Sequence, residues 1–123
     1  MQTPIEGRGF LGVHEGPQSI SKNPNNVSLK PGMIISNEPV YYKNKCFGVR
    51  IENLVLVKKS LFENFLEFET ITLFPYETDL IDIKLLSRGQ KLWINNYHKL
   101  VYMKLYKFLD EEERNWLFKK TKQ

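Results

Sequence analysis

The feature that most constrains this chain is a change of period part-way along it. Phe47, Val49 and Ile51 alternate with Gly48, Arg50 and Glu52, and Leu66, Phe68, Thr70 and Thr72 alternate with Glu67, Glu69, Ile71 and Leu73. Further on, Trp93, Tyr97, Leu100, Val101, Leu105 and Phe108 recur at three- and four-residue spacing. A period of two belongs to a strand with two different faces, and a period of three to four to one face of a helix. One element cannot carry both, so a strand-rich part must give way to a helical part, and the expected class is α+β. Residues 1–32 carry neither period. Gly7, Gly9, Gly12, Gly16, Pro17, Pro24, Pro31 and Gly32 punctuate them, which predicts loop with one short strand over Phe10–Val13.

The elements can be placed more closely. Met33-Ile34-Ile35 is a short buried-strand candidate that Asn37-Glu38-Pro39 breaks, and Leu54–Val57 continues the later strand as an apolar run. Residues 58–64 read as a charged hairpin or loop. Ser87 with Gln90 three residues on fits a capping box at the start of the first helix. Asp110 with Glu113 does the same for a second, whose buried residues should be Trp116 and Leu117. The acids at its start and Lys119, Lys120 and Lys122 at its end complement the helix dipole.

Composition narrows the class of protein. At 123 residues the chain is one domain at most, or a piece of a larger one. With 41% hydrophobic, 13% aromatic and 26% charged residues it has a globular composition. No apolar run reaches the roughly 18 residues of a transmembrane helix, and Met1–Gly9 lacks the apolar stretch of a secretory signal. The single cysteine, Cys46, excludes a disulfide scaffold and a cysteine zinc site. A cytoplasmic setting away from membranes is expected. The net charge of +4 comes from 18 basic and 14 acidic residues. Most of the basic residues are scattered lysines and only four are arginines, which fits a solvated surface and not a nucleic-acid site. The weakly anchored first 30 or so residues, and strands without evident partners, read as a fragment.

Five polar residues stand out as carriers of chemistry: His14, Glu15, Glu38, Arg50 and Glu52. A carboxylate flanked by Val49, Ile51, Leu54 and Val55 is costly to bury unless it is paired or bound to a metal. Two carboxylates on adjacent strands plus an imidazole suit Mn, Co or Zn. Spacing alone leaves plainer readings open: Glu52 facing water at a strand edge, Glu38 serving a turn, His14 lying idle in a loop. Arg50 and Glu52 share a strand face, but side chains two apart pair tightly only across a bend.

Longer strings carry more information. Val13-His14-Glu15-Gly16-Pro17, Leu29-Lys30-Pro31-Gly32-Met33, Ser36-Asn37-Glu38-Pro39-Val40-Tyr41-Tyr42 and Gly48-Val49-Arg50-Ile51-Glu52-Asn53-Leu54-Val55-Leu56-Val57 occur in that order. This resembles the C-terminal part of aminopeptidase P, the Xaa-Pro aminopeptidase branch of the creatinase and methionine-aminopeptidase family. Phe68–Leu73, Pro75, Leu80-Ile81-Asp82 and Leu85-Leu86 are similar to the end of that catalytic domain. Trp93–His98 and Leu109–Leu117 look like its helical C-terminal extension. The resemblance implies a pita-bread (creatinase-like) α+β fold around two divalent ions, usually manganese, held by two aspartates, one histidine and two glutamates. Glu38 and Glu52 match the two glutamate ligands, Glu52 being the bridging one. His14 matches a histidine near the scissile carbonyl, and Arg50 an arginine supporting the metal network. The implied substrates are peptides with proline in second position.

The departures from the family pattern matter equally. Its two ligand aspartates lie upstream of anything in this chain, Ile5 stands where its ligand histidine would be, and Val40 replaces the usual glycine. The expected organisation is a divergent stretch over 1–9, the C-terminal half of a catalytic domain over 10–82, and a helical extension over 83–123. The expected behaviour is a chain that is inactive and weakly metal-binding alone. The alternatives are a subunit completing an enzyme with a separate N-terminal half, and a non-enzymatic or homodimerising interaction module.

Overall fold

The computed structural model describes residues 18–21 and 24–122. The expected strand at Phe10–Val13 and the candidate His14 lie outside the described residues. The chain divides into two compact units, Met1–Thr72 and Leu73–Gln123. All five described strands fall in the first unit and both α-helices in the second, the strands-then-helices order the change of period implies.

The first unit is a ladder of antiparallel hairpins. Strands β1 (Ile34–Asn37), β4 (Asn53–Lys59) and β5 (Leu66–Thr70) form one sheet in the order β1-β4-β5, and β2 (Val40–Lys43) pairs with β3 (Phe47–Arg50) in a second. The turn Lys30-Pro31-Gly32-Met33 feeds the chain into β1. The Met33 amide donates to the Lys30 carbonyl at 3.2 Å, and Gly32 has φ +93°. Proline second and a left-handed glycine third make a type II turn, which a Cβ at Gly32 would strain. The sheet begins inside that turn, because the Gly32 amide donates to Val57 O and the Val57 amide to Met33 O, both at 2.8 Å.

Alternation decides what each strand buries. On β4, Asn53, Val55 and Val57 point inward and are 5%, 4% and 0% exposed. Val55 faces Ile35 of β1, also buried, and Leu29 and Met33 close the cluster. Each such aliphatic side chain contributes roughly 1.5–3 kcal/mol on burial. β4 runs on through Lys59, two residues into the segment expected to be loop. Lys58, directly opposite Glu67, bridges it at 3.2 Å and the diagonal Glu69 at 3.3 Å. These groups are half exposed, so the pairs set register more than stability. Beyond the ladder's end the Leu54 amide donates to Thr72 Oγ1 at 2.8 Å.

The second unit is built around helix α1 (Arg88–Leu105), capped by Ser87, and helix α2 (Glu111–Thr121), capped by Asp110. Both capping boxes close in both directions, Ser87 with Gln90 and Asp110 with Glu113, as their sequences imply. The buried face is narrower than periodicity suggests. Tyr97, Val101 and Leu117 form the core with Leu105 and Leu109 against it, while Trp93, Leu100, Phe108 and Trp116 remain exposed. In their place the helix buries His98, wholly inaccessible to solvent. Sequence pattern misses His98 because it is polar. Its role is to satisfy backbone: Nε2 accepts from the Tyr76 amide at 3.0 Å, and the neighbouring Tyr97 hydroxyl donates to Phe74 O at 2.7 Å. Residues 74–76 lie in no strand, so these side chains supply partners that a sheet would otherwise provide. Tyr76 stacks on Tyr97 with centroids 4.8 Å apart, and its hydroxyl pKa is pushed up to about 12, mainly by burial and then by Tyr97.

His98 makes the second unit sensitive to pH. Burial lowers its pKa below the ordinary value of 6.5. Above about pH 6.5 both folded and unfolded forms are neutral and the contribution is fully present. Below it the unfolded chain binds a proton that the folded chain refuses, so stability is lost as the pH falls from about 6.5 through the lower folded value. Helical melting followed by circular dichroism should show a midpoint that drops from pH 7 towards pH 5. His98→Gln, which keeps an acceptor but no titrating group, should flatten that dependence; equal pH dependence in both proteins would contradict the role given to His98.

Candidate functional site

The site grows from one register. Ile34 faces Leu56 and Asn37 faces Asn53 between β1 and β4, and Val40 faces Arg50 and Lys43 faces Phe47 between β2 and β3. The two sheets share the same pairing, so residues 34–56 are one long hairpin interrupted in the middle. Pro39 causes the interruption, because it has no N–H to give the ladder. The Ile51 amide still donates to Pro39 O at 3.3 Å, which carries the register across the gap. One step beyond the Asn37–Asn53 pair, the same register sets Glu38 opposite Glu52. Glu52 therefore lies at the break between β3 and β4, and not within an unbroken strand as its apolar neighbours suggest.

Residues opposite each other on antiparallel strands present their side chains on one face. Like charges at opposing positions are destabilising, and a cation beside them offsets that. Arg50 supplies one from the protein. Its guanidinium Nη1 lies 3.1 Å from Glu38 Oε1, with Glu38 the more buried partner, its side chain 15% exposed. Arg50 thus reaches across the hairpin to Glu38 and attracts Glu52 only as a weaker neighbour. Arg50 Nε also donates to the Tyr42 hydroxyl at 3.1 Å, and its charge stands 5.9 Å from the Tyr42 ring centre. Tyr42 first, then the charges of Glu38 and Glu52, raise the Arg50 pKa above its usual value. Tyr42 is the functional residue that sequence reasoning left without a role. It stands beside Tyr41 in the same string, and only the pairing shows which of the two turns towards Arg50.

Two opposed carboxylates are suitable donors for hard divalent cations. Among the described residues no group of three or more His, Cys, Asp or Glu side chains comes together. Glu38 and Glu52 do not by themselves make up such a group.

Residues 7–59 match metallopeptidase family M24, and residues 64–123 match the C-terminal region of peptidase M24. The chain belongs to the M24 metallopeptidases, and its α+β structure corresponds to the C-terminal part of their pita-bread fold. Within it, the chain corresponds to a C-terminal part of aminopeptidase P. It is 43% identical over 122 residues to a probable Xaa-Pro aminopeptidase P of Coprinopsis cinerea, covering 91% of this chain and 20% of the relative. Identity to aminopeptidase P2 of Arabidopsis thaliana is 42% over 120 residues, covering 91% of this chain and 17% of the relative. The crystal structure of an X-prolyl aminopeptidase from Caenorhabditis elegans, described as a cytosolic enzyme with a di-nuclear active site, matches with a TM-score of 0.76 and 32% identity. The match covers 91% of this chain and 20% of that one. The chain therefore spans about a fifth of the length of these relatives. Among the described residues no helix is long and apolar enough to cross a membrane.

The opposed carboxylates make the hairpin depend on Arg50. Arg50→Gln should lower the thermal midpoint of the first unit in about 20 mM salt and lower it less in about 500 mM salt, where charge repulsion is screened within a few ångströms. A loss independent of salt would mean that Arg50 acts by packing and not by neutralising the pair.

Proposed function

We propose that this chain provides the glutamate side of the dinuclear centre of a Xaa-Pro aminopeptidase. The observation that carries the reading is the register opposing Glu38 and Glu52 at the Pro39 break, with Arg50 held against Glu38. Glu38 and Glu52 would be ligands to two divalent ions, most suitably manganese, with Glu52 the one shared between them. Such ions, when bound, lower the pKa of water and polarise the scissile carbonyl. The residues of this chain fix the geometry. The strand pairing holds two carboxylates on one face, and Arg50 offsets their repulsion and orients Glu38. His14 assists binding and proton transfer at the carbonyl. The substrate class is peptides with proline in second position, and the setting is cytoplasmic.

Two carboxylates do not hold two ions at working distance, because affinity follows the number and geometry of ligands. The chain therefore works with further ligands, two aspartates and a histidine, from another segment or subunit. Exposed Val40, Tyr41 and Phe47 on β2 and β3 suit such an association. Calorimetry of the 123-residue chain with manganese should show no pair of micromolar sites. Mixing it with a polypeptide carrying the upstream half of a relative should yield manganese-dependent cleavage of an Xaa-Pro peptide. Glu52→Gln should abolish that cleavage, and Glu38→Gln should reduce it at least a hundredfold. Undiminished cleavage in Glu52→Gln would overturn the assignment.

A further inference from the structure

Tyr42 and Gly48 face each other in the β2–β3 pairing. The Cδ1–Cε1 edge of the Tyr42 ring occupies the place where a side chain at position 48 would begin. A Cβ built on Gly48 would stand 2.5 Å from Tyr42 Cδ1 and 2.6 Å from Cε1, well inside contact distance. Gly48 shows no left-handed φ, so its backbone conformation does not demand glycine. What demands it is the ring. From that position the Tyr42 hydroxyl accepts the Arg50 Nε–H, and Arg50 reaches Glu38.

We propose that Gly48 is a positioning residue of the candidate centre: its missing side chain seats Tyr42 across the hairpin, and Tyr42 in turn aims Arg50 at Glu38. Any side chain at position 48 displaces the ring. The near edge of a tyrosine ring has no short flexible end to yield, so the whole ring swings on χ1 and carries its hydroxyl away from Arg50. Freed of that bond, the guanidinium regains the rotamers of a long exposed side chain, and the ion pair with Glu38 loses its fixed geometry. The significance for catalysis rests on the reading of Glu38 as a ligand; the coupling from Gly48 to Arg50 does not.

The test reads the arginine side chain directly in the full 123-residue chain. The chain has only four arginines, Arg8, Arg50, Arg88 and Arg114. Arg114 Nε also donates, to Tyr106 O at 2.9 Å, and serves as an internal reference. Nitrogen–proton correlation spectra would follow solvent exchange of each Nε–H. In Gly48→Ala the Arg50 signal should exchange roughly five- to tenfold faster, the protection that one ordinary hydrogen bond confers, with Arg114 unchanged. Tyr42→Phe keeps the ring on Gly48 and should give the same acceleration without steric change. Adding Gly48→Ala to Tyr42→Phe should accelerate Arg50 exchange no further. Should Gly48→Ala unfold the first unit, the coupling is read from thermal midpoints instead: Gly48→Ala should cost far less in a Tyr42→Ala background, where the ring is gone. Parent-like Arg50 exchange in Gly48→Ala, or an equal cost of Gly48→Ala with and without the Tyr42 ring, would overturn the proposal. Failure of the manganese and cleavage experiments with these results intact would remove the metal reading and leave the coupling standing.

Discussion

The arrangement of the first unit depends on one register kept across a proline. β1 with β4 and β2 with β3 pair as a single hairpin would, and Pro39 removes one donor from the middle of it. An interruption of this kind usually costs a sheet its alignment. Here the Ile51–Pro39 backbone bond and the bonds at either end of the gap hold it. The consequence is a short stretch outside both ladders in which the continued register places Glu38 and Glu52 at opposing positions. Three contacts cross the hairpin there: Arg50 reaches Glu38, the Tyr42 hydroxyl accepts from Arg50, and Gly48 leaves room for the Tyr42 ring.

The second unit solves a different problem by similar means. Residues 74–76 belong to no helix or strand, and Pro75 within them is buried. Their amides and carbonyls need partners, and helix α1 offers two consecutive polar rings, Tyr97 and His98, to satisfy them. In both units a polar side chain takes over where the regular ladder stops. The first does so with a charged pair, Arg50 and Glu38, nearer to solvent. The second does so with neutral rings away from solvent, which are pH-sensitive and serve packing.

The legible parts of the sequence were those fixed by local chemistry. The capping boxes at Ser87 and Asp110 close as read, because a cap is made by residues three positions apart. The pairing of strands with strands and helices with helices follows from period. Glu38, Arg50 and Glu52 were visible as candidates through the strings around them, and the kinship those strings carry agrees with the matches to M24 peptidases. Less legible were the contacts made between segments. Trp93 and Leu100 fall on the apolar stripe of α1 yet stay exposed, while His98, off the hydrophobic pattern, is buried. A polar residue enters a core only when a distant backbone group needs it, and periodicity holds no record of that need.

The sequence alone determined where strands give way to helices, where each helix starts, and which residue types could hold a metal or polarise a carbonyl. These are properties of a residue and its near neighbours, set by backbone sterics, period and side-chain chemistry. Tertiary structure alone decided that Arg50 pairs with Glu38 across the hairpin and not with Glu52 along the strand, and that Tyr42, not Tyr41, turns to meet it. It also decided that Gly48 is required for what lies opposite it. Each of these is fixed by pairing between strands, and a side chain's partner across a sheet is set by register, a long-range quantity that no local stretch of the chain contains.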